Sequence, residues 1–74
     1  MEREVDMLNT VESIRSNFPP GTRIKLLEMK DEQAPPSGTK GTVSHVDDIG
    51  SVHVKWDNGS SLALIVGVDK YVIL

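Results

Sequence analysis

The chain has 74 residues, no cysteine and a formal net charge of −3, so we expect one small domain without disulfides or thiolate metal sites. Its pI of about 5.2 argues against tight nucleic-acid binding, which usually needs a clustered basic surface. No apolar run approaches the ~20 residues of a membrane span, and the acidic, mixed start differs from a signal peptide, so we expect a cytoplasmic protein that does not enter a membrane.

Residues 1–18 predict an amphipathic N-terminal helix. Because an apolar stripe needs a covering surface, we expect it to pack on the chain's own sheet. Self-association into a homodimer through the helix, or docking to another protein, are the alternatives. The stripe follows a 4-3-4 spacing that puts its residues on one helical face, and it consists of Met7, Val11, Ile14 and Phe18.

Both ends of this helix carry local signals. Pro19 and Pro20 end it, because proline lacks the backbone donor and clashes with the preceding turn. Asn9 and Glu12 have the spacing of a capping box. They indicate a shorter helix as the alternative to one that begins near Glu4.

Residues 19–74 predict a β domain, because apolar and polar residues alternate from Thr22 onward. Asn58-Gly59 predicts a tight hairpin turn, since this dipeptide readily takes the positive φ values that such a turn needs. The predicted strands are residues 23–26, 41–46, 51–56, 61–65 and 71–74.

The order of these strands indicates the fold class. A long loop after the first strand, tight later turns and a short link into the last strand are typical of an SH3-like barrel. The predicted fold is therefore mainly β, a small five-stranded SH3-like barrel with an N-terminal α-helix. The predicted core consists of Ile24, Leu26, Val43, Val52, Val54, Trp56, Leu62, Leu64, Val72 and Leu74.

The stretch from Pro20 to Leu74 is similar to a known family. The similarity lies in Pro20-Gly21-Thr22-Arg23-Ile24, Gly38-Thr39-Lys40-Gly41-Thr42-Val43, Val46-Asp47-Asp48-Ile49-Gly50, Val54-Lys55-Trp56-Asp57-Asn58-Gly59-Ser60-Ser61-Leu62 and Gly67-Val68-Asp69. Together these segments resemble domain-of-unknown-function family 4314, whose members are small domains of Gram-positive bacteria, their phages and their mobile elements. The resemblance leaves the N-terminal helix outside. It implies a barrel fold and a mobile-element origin, and it brings no catalytic residues because the family has no assigned activity.

The glycines of these motifs have a structural explanation. Gly38, Gly41, Gly50 and Gly59 are expected at turns or bulges, where a flexible backbone is needed. A shared motif of this kind is therefore a signature of the fold and need not mark a binding site.

Two histidines offer the best candidate for metal chemistry. His45 and His53 lie on neighbouring predicted strands near Asp47, and two imidazoles with a carboxylate can bind zinc. In the simplest register, however, Ser44 pairs with His53 and His45 pairs with Val52. The two rings then face opposite sides of the sheet, although a bulge would change this.

Catalytic motifs are missing from the sequence. It contains no cysteine, no Gly-x-Ser-x-Gly elbow and no P-loop spacing. So small a barrel also rarely encloses a pocket. We therefore expect no enzyme activity, no metal and no cofactor.

The outward face of the sheet is the best candidate for a binding surface. Arg23, Lys25, His53 and Lys55 are predicted to point outward, with Tyr71 at the barrel rim. SH3 domains bind proline-rich ligands in a groove lined by several aromatics, whereas this chain has one Phe, one Trp and one Tyr. Protein contact by other modes, including strand addition, is therefore expected.

The sequence thus predicts a non-catalytic protein-interaction module with an unidentified protein partner. Its contact surface would comprise the outer hairpin face, the Pro35-Pro36 loop and the helix. A second hypothesis, from the acidic charge and the mobile-element resemblance, is a phage- or plasmid-encoded inhibitor of a host defence nuclease, because acidic inhibitors can occupy basic channels. A third is weak nucleic-acid binding through the outward cations. It is disfavoured by the negative charge and the lack of interleaved aromatics.

Overall fold

The structure is a computed structural model that describes residues 10–74, and these form one antiparallel sheet with one short helix. The prediction of a mainly β fold with an N-terminal helix is therefore confirmed. In chain order the elements are α1 (Val11–Asn17), β1 (Arg23–Glu28), β2 (Lys40–Val46), β3 (Ser51–Trp56), β4 (Leu64–Ile65) and β5 (Lys70–Ile73).

The five strands form a single sheet in the order β4-β3-β2-β1-β5. Strands β1 to β4 make an antiparallel meander, and β5 returns to pair with β1. Strands β4 and β5 are therefore the two ends of the sheet. Closure into an SH3-like barrel stays a prediction.

Helix α1 is capped by a threonine. Thr10 accepts a hydrogen bond on Oγ1 from the Ser13 N–H at 3.1 Å, which satisfies one of the free donors at the helix start. The N-cap is thus Thr10 rather than the Asn9 of the predicted capping box. At the other end, the Phe18 N–H bonds to the Ile14 carbonyl at 3.0 Å, directly before the prolines that were expected to end the helix.

The helix packs on its own sheet. Ile14 and Phe18 are 7% and 3% exposed and belong to the same core as the strands. A Cβ on Gly50, in the turn between β2 and β3, would lie 3.2 Å from Ile14 Cδ1, so helix and turn are in close contact. Val11 is half-buried, and Met7 lies outside the described residues. No helix in the described part of the chain is long and apolar enough to cross a membrane.

Strand β4 is shorter than the sequence predicts, because it contains only Leu64 and Ile65. The preceding turn forms where it was predicted, but only Gly59 takes a positive φ, of 94°, whereas Asn58 does not. The chain then passes the indole of Trp56, whose Nε1 donates to the Leu62 carbonyl at 2.9 Å. The Trp56 indole therefore bonds to the Leu62 carbonyl, which in a longer β4 would be available to a backbone N–H of a neighbouring strand.

Strand β1 is longer than the sequence predicts. It continues from Leu26 to Glu28, because β5 keeps pairing past a bulge and places Lys70 opposite Glu28. Strand β2 likewise begins at Lys40, one residue before its predicted start.

The core lies between α1 and the inner face of the sheet. Leu62 is only half-buried, so its assignment to the core is wrong, and Val46 joins the core together with the two helix residues. The confirmed core predictions are Ile24, Leu26, Val43, Val52, Val54, Trp56 and Leu64.

The pairing of β5 with β1 shows which β5 residues face the core, and it corrects two further core predictions. Val72 and Leu74 are 39% and 59% exposed, not buried. Val72 lies opposite Lys25 on the outer face, whereas Tyr71 lies opposite the buried Leu26. A one-residue change of phase exchanges the two faces of a strand.

Gly41 also differs from expectation. Gly38, Gly50 and Gly59 take positive φ, as the turn explanation requires, but Gly41 does not. It sits opposite Trp56 in a space that a Cβ would not fit. The explanation by a flexible backbone is therefore wrong for this residue, and close packing is the reason for a glycine there.

Candidate binding surface

Four cationic side chains lie together on the outer face of the sheet. Arg23 of β1 pairs with Thr42 of β2, and Thr42 pairs with Lys55 of β3, so these residues form one row across three strands. In the next row Lys25 lies directly opposite Lys40. We call Arg23, Lys25, Lys40 and Lys55 the basic face.

Strand alternation in the sequence already placed Arg23, Lys25 and Lys55 on this face. It missed Lys40, because the predicted strand began one residue later, at Gly41. The signal was present, since Lys40 is two residues before the outward Thr42 and shares its side of the strand.

Arg23 is held in place by a carboxylate. Its Nη1 and Nη2 donate to the two carboxylate oxygens of Asp57 at 3.0 and 2.9 Å, and Nη1 also donates to Thr42 Oγ1 at 2.9 Å. These hydrogen bonds lower the pKa of Asp57 and raise the pKa of Arg23, because they favour the charged form of each group. The charge of Arg23 is therefore largely matched within the chain.

The lysines of the basic face form no such ion pair with the described residues, although Lys40 is close enough to Asp57 for its charge to contribute to the lowered pKa of that carboxyl. Within residues 10–74, no carboxylate oxygen lies within 4.0 Å of the amino groups of Lys25, Lys40 or Lys55. Like charges directly opposite each other on neighbouring strands destabilise a sheet, and Lys25 and Lys40 are such a pair. The stability of the fold does not explain this arrangement.

An apolar column adjoins the basic face. Val72 lies opposite Lys25, and Leu74 lies opposite Arg23, to whose carbonyl its N–H bonds at 2.9 Å. Both apolar side chains are substantially exposed. Val72 and Leu74 were predicted to be core residues, because a run that is apolar at every position does not indicate which of its residues face outward. We call these two residues the apolar column.

Tyr71 does not share the surface with the cations. It lies opposite Leu26 on the core side of the sheet, and its ring meets Phe18 edge-on with centroids 5.4 Å apart. Tyr71 is half-buried, so it covers one end of the core. The structure therefore separates it from the basic face with which it was grouped.

The two histidines face the same side, contrary to the simplest register. A bulge between Val43 and His45 shifts the pairing so that His45 lies opposite His53. The two rings stack with centroids 4.4 Å apart and planes 5° from parallel. His53 thus lies on the outer face, beyond Lys55.

His53 is coupled to an acidic turn residue. Its Nε2 lies 2.9 Å from Asp47 Oδ2, while Asp47 Oδ1 accepts the N–H groups of Ser51 and Ile49 at 2.9 and 3.1 Å. These bonds, led by that to His53, lower the pKa of Asp47. Among residues 10–74 no group of three or more His, Asp or Glu side chains that could hold a metal ion is present.

A shallow depression of about 260 Å³ lies at the connection between β4 and β5. Its carboxylates are used by the fold, since Asp69 Oδ2 accepts the Ile65 N–H at 2.7 Å and Glu28 pairs with Lys70 at 3.7 Å. The lining residues are Glu28, Lys30, Val68, Asp69 and Lys70.

The loop that contains the two prolines is only partly available. Pro35 is buried and Pro36 is exposed. The loop is fastened to β1, because Ser37 Oγ donates to the Leu27 carbonyl at 2.7 Å and the Gly38 N–H bonds to the Leu26 carbonyl at 2.7 Å. In this loop Pro36 and its exposed neighbours are therefore accessible, and Pro35 is not.

Comparison with known proteins identifies a family. The model of the family described as domain of unknown function (DUF4314) matches residues 7–74. No curated protein and no solved structure matches the chain. The match includes α1, so the expectation that the helix lies outside the similarity is wrong, in keeping with the burial of Ile14 and Phe18 in the common core. The chain therefore belongs to the DUF4314 family of domains of unknown function.

Proposed function

We propose that this protein is a non-catalytic protein-binding module that contacts an acidic partner through the basic face and the apolar column. The observation that carries the proposal is a set of lysines that form no ion pair within residues 10–74, beside two exposed apolar residues, on a chain whose net charge is −3. A basic patch on an acidic chain is a local feature of the fold and does not follow from composition.

Electrostatics supports a partner that carries carboxylates. Lys25 and Lys40 repel each other in the free protein, and a carboxylate placed between them would relieve this repulsion. Complementary charges across an interface increase association rates and fix the orientation of the partner. The adjoining Val72 and Leu74 add apolar area, which protein interfaces combine with such charges.

A protein fits this surface better than a nucleic acid does. Proteins that hold single strands combine a basic groove with aromatic side chains on which bases stack. Here Phe18 and Trp56 are buried, and Tyr71 lies on the core side, so none of the chain's three aromatic residues is on the basic face. An apolar column in place of an aromatic platform supports contact with protein.

The second candidate, an inhibitor of a host defence nuclease encoded by a phage or another mobile element, is favoured less by these charges. A nuclease channel that binds nucleic acid is basic, and the basic face would be repelled from it. This role would be tested by adding the protein to a purified defence nuclease at near-equal stoichiometry and measuring cleavage.

The proposed function is tested by selecting binders from a random peptide display library on the immobilised full chain. We expect enriched peptides that combine Asp or Glu with aliphatic residues. Their affinity, measured by fluorescence anisotropy, should fall about tenfold or more in Lys25→Glu. Lys30→Glu changes the net charge by the same amount away from the basic face and should leave the affinity within about twofold.

Three results would contradict the proposal. The first is a selection without enrichment. The second is an equal loss of affinity in Lys25→Glu and Lys30→Glu, which would show a response to net charge alone. The third is tighter binding of single- or double-stranded DNA or RNA than of any selected peptide, which would make this a nucleic-acid-binding face.

A further inference from the structure

We infer that the partner binds as an extended acidic segment that adds to the sheet as a strand beside β5. This inference rests on the proposed function and names its binding mode. It is carried by the backbone geometry of β5, by the absence of a covering strand along its free side within residues 10–74 and by the position of Lys25.

The free side of β5 presents backbone hydrogen-bonding groups. In an antiparallel pair, residues that exchange backbone hydrogen bonds alternate with residues that do not. The Leu74 N–H bonds to the Arg23 carbonyl, so Val72 likewise directs its backbone groups at β1. Tyr71 and Ile73 therefore direct theirs to the other side, where the described part of the chain places no further strand.

Within residues 10–74 this edge lacks most of the devices that usually block sheet edges, and the bulge of the β1–β5 pair lies in β1, between Leu26 and Glu28. Natural proteins protect end strands with proline, bulges, inward charges or a covering element. Residues 70–73 contain no proline, and their one charge, Lys70, lies at the start of the strand and pairs with Glu28. Ile73 is 51% exposed, so the middle and end of the strand are accessible. The edge is open where the apolar column lies.

The position of Lys25 specifies the chemistry of the added segment. Neighbouring strands are ~4.8 Å apart, so an added strand would lie ~9–10 Å from β1. An outward glutamate on that strand and the side chain of Lys25 together bridge this distance above the short side chain of Val72. Because side chains alternate along a strand, acidic residues are expected at every second position, with apolar residues facing Ile73.

A second copy of the chain fits this edge poorly. Strand β5 contains no carboxylate, so pairing β5 with β5 would supply no charge partner for Lys25. It would also bring two basic faces side by side. An acidic segment of another protein would supply backbone partners for the free side of β5 and carboxylates for Lys25.

The test uses the full chain and blocked synthetic peptides of seven residues. One peptide alternates glutamate and valine, and a second has the same composition with all glutamates before all valines. Added strands need alternation, whereas simple charge attraction depends on composition alone. We expect the alternating peptide to bind about tenfold more tightly than the block peptide, in an anisotropy titration at fixed salt.

A substitution at the edge tests the backbone contact. Ile73→Pro removes an N–H that points away from β1, at an edge position where proline is tolerated, and we expect it to lower affinity for the alternating peptide about tenfold. Ile73→Thr removes similar apolar area, keeps the N–H and should bind within about threefold of the wild type. Wild-type hydrogen exchange gives a readout that does not depend on a variant. Saturating peptide should slow exchange of the Tyr71 and Ile73 amides about tenfold or more.

The outcomes separate this inference from the proposed function. Equal affinity of the two peptides, or unchanged exchange at Tyr71 and Ile73 while Lys25→Glu still abolishes binding, would overturn strand addition and leave a face-binding module. Weak binding of every peptide by the wild type, with no further loss of affinity in Lys25→Glu, would refute the proposed function itself. If the chain without peptide is a dimer in solution and the dimer forms through β5, a second copy is the occupant and the inference is contradicted.

Discussion

Gly41→Ala is expected to destabilise the fold through a steric clash. The added Cβ would lie 2.6 Å from Val54 Cγ1, 2.8 Å from Trp56 Cε3 and 3.1 Å from the Lys55 carbonyl oxygen. Carbon atoms in contact are normally ~3.5–4.0 Å apart, so two of the three neighbours would have to move. One of them is the largest side chain of the core, and the third is backbone.

Two opposing effects decide the magnitude. Replacing glycine by alanine where the backbone permits it stabilises a protein by about 0.4–1 kcal/mol through the unfolded chain. Overpacking a filled core costs about 1–3 kcal/mol. Because Val54 and Trp56 are 2% and 3% exposed and have little room to shift, the clash should win, with a net loss of about 1–2 kcal/mol. For a domain of this size that lowers the Tm by about 4–16 °C.

The assay is urea and thermal unfolding of four chains: the wild type, Gly41→Ala, Val54→Ala and the double variant. Truncating Val54 removes the nearest atom, so the double variant should lose about 1 kcal/mol less than the sum of the two single losses. Gly67→Ala serves as a control, since it has positive φ but no atom within 4 Å of its Cβ. The stability loss of Gly67→Ala should be additive with that of Val54→Ala. If the stability losses of Gly41→Ala and Val54→Ala also add to within about 0.5 kcal/mol, or if Gly41→Ala causes no loss, the reasoning is refuted.

Three further predictions concern the helix and the acidic residues. Thr10→Ala should lower the free energy of unfolding in urea by about 0.5–2 kcal/mol. Thr10→Ser keeps the capping hydroxyl and should lose less. Equal losses in the two variants would show that the cap contributes nothing. Phe18→Ala should lower the free energy of unfolding by about 3–5 kcal/mol, which is enough to unfold most molecules of a domain this small. Phe18→Leu should remain folded by circular dichroism. A fully folded Phe18→Ala would show that the helix is dispensable. Since the folded-state pKa values of Asp47 and Asp57 are lowered, their stabilisation is present above the unfolded pKa of ~3.9 and is lost as the pH falls through the lower folded values. The Tm of the Asp47→Asn, Asp57→Asn double variant should therefore depend less on pH between about 2 and 5 than that of the wild type, and identical profiles would contradict the assigned bonds.

The burial of α1 also bears on assembly. Ile14 and Phe18 are covered by their own sheet, so self-association through these side chains would require the helix to leave it. Light scattering on the full chain over a range of concentrations measures this directly. We expect a monomer, and a dimer abolished by substitutions in the helix stripe would restore the alternative in which the helix is an assembly element.

Local sequence determined most of the secondary structure of this protein. Strict alternation from Ser51 to Trp56 fixed β3 without error, because polar residues at every second position mark the outer face. The prolines after Phe18 stopped the helix, and Gly59 supplied the positive φ of the predicted turn. In each case the signal lies within a few residues, where steric limits on the backbone act.

The tertiary structure decided what local patterns leave open. The run from Tyr71 to Leu74 is apolar at every position, so only its pairing with β1 could show that Val72 faces outward beside Lys25. The bulge that stacks His45 on His53 depends on β2 and β3 together. Periodicity within one strand shows only which residues of that strand share a face. The proposed binding surface combines residues of neighbouring strands, and their positions are set by register, bulges and the place of β5 at the end of the sheet.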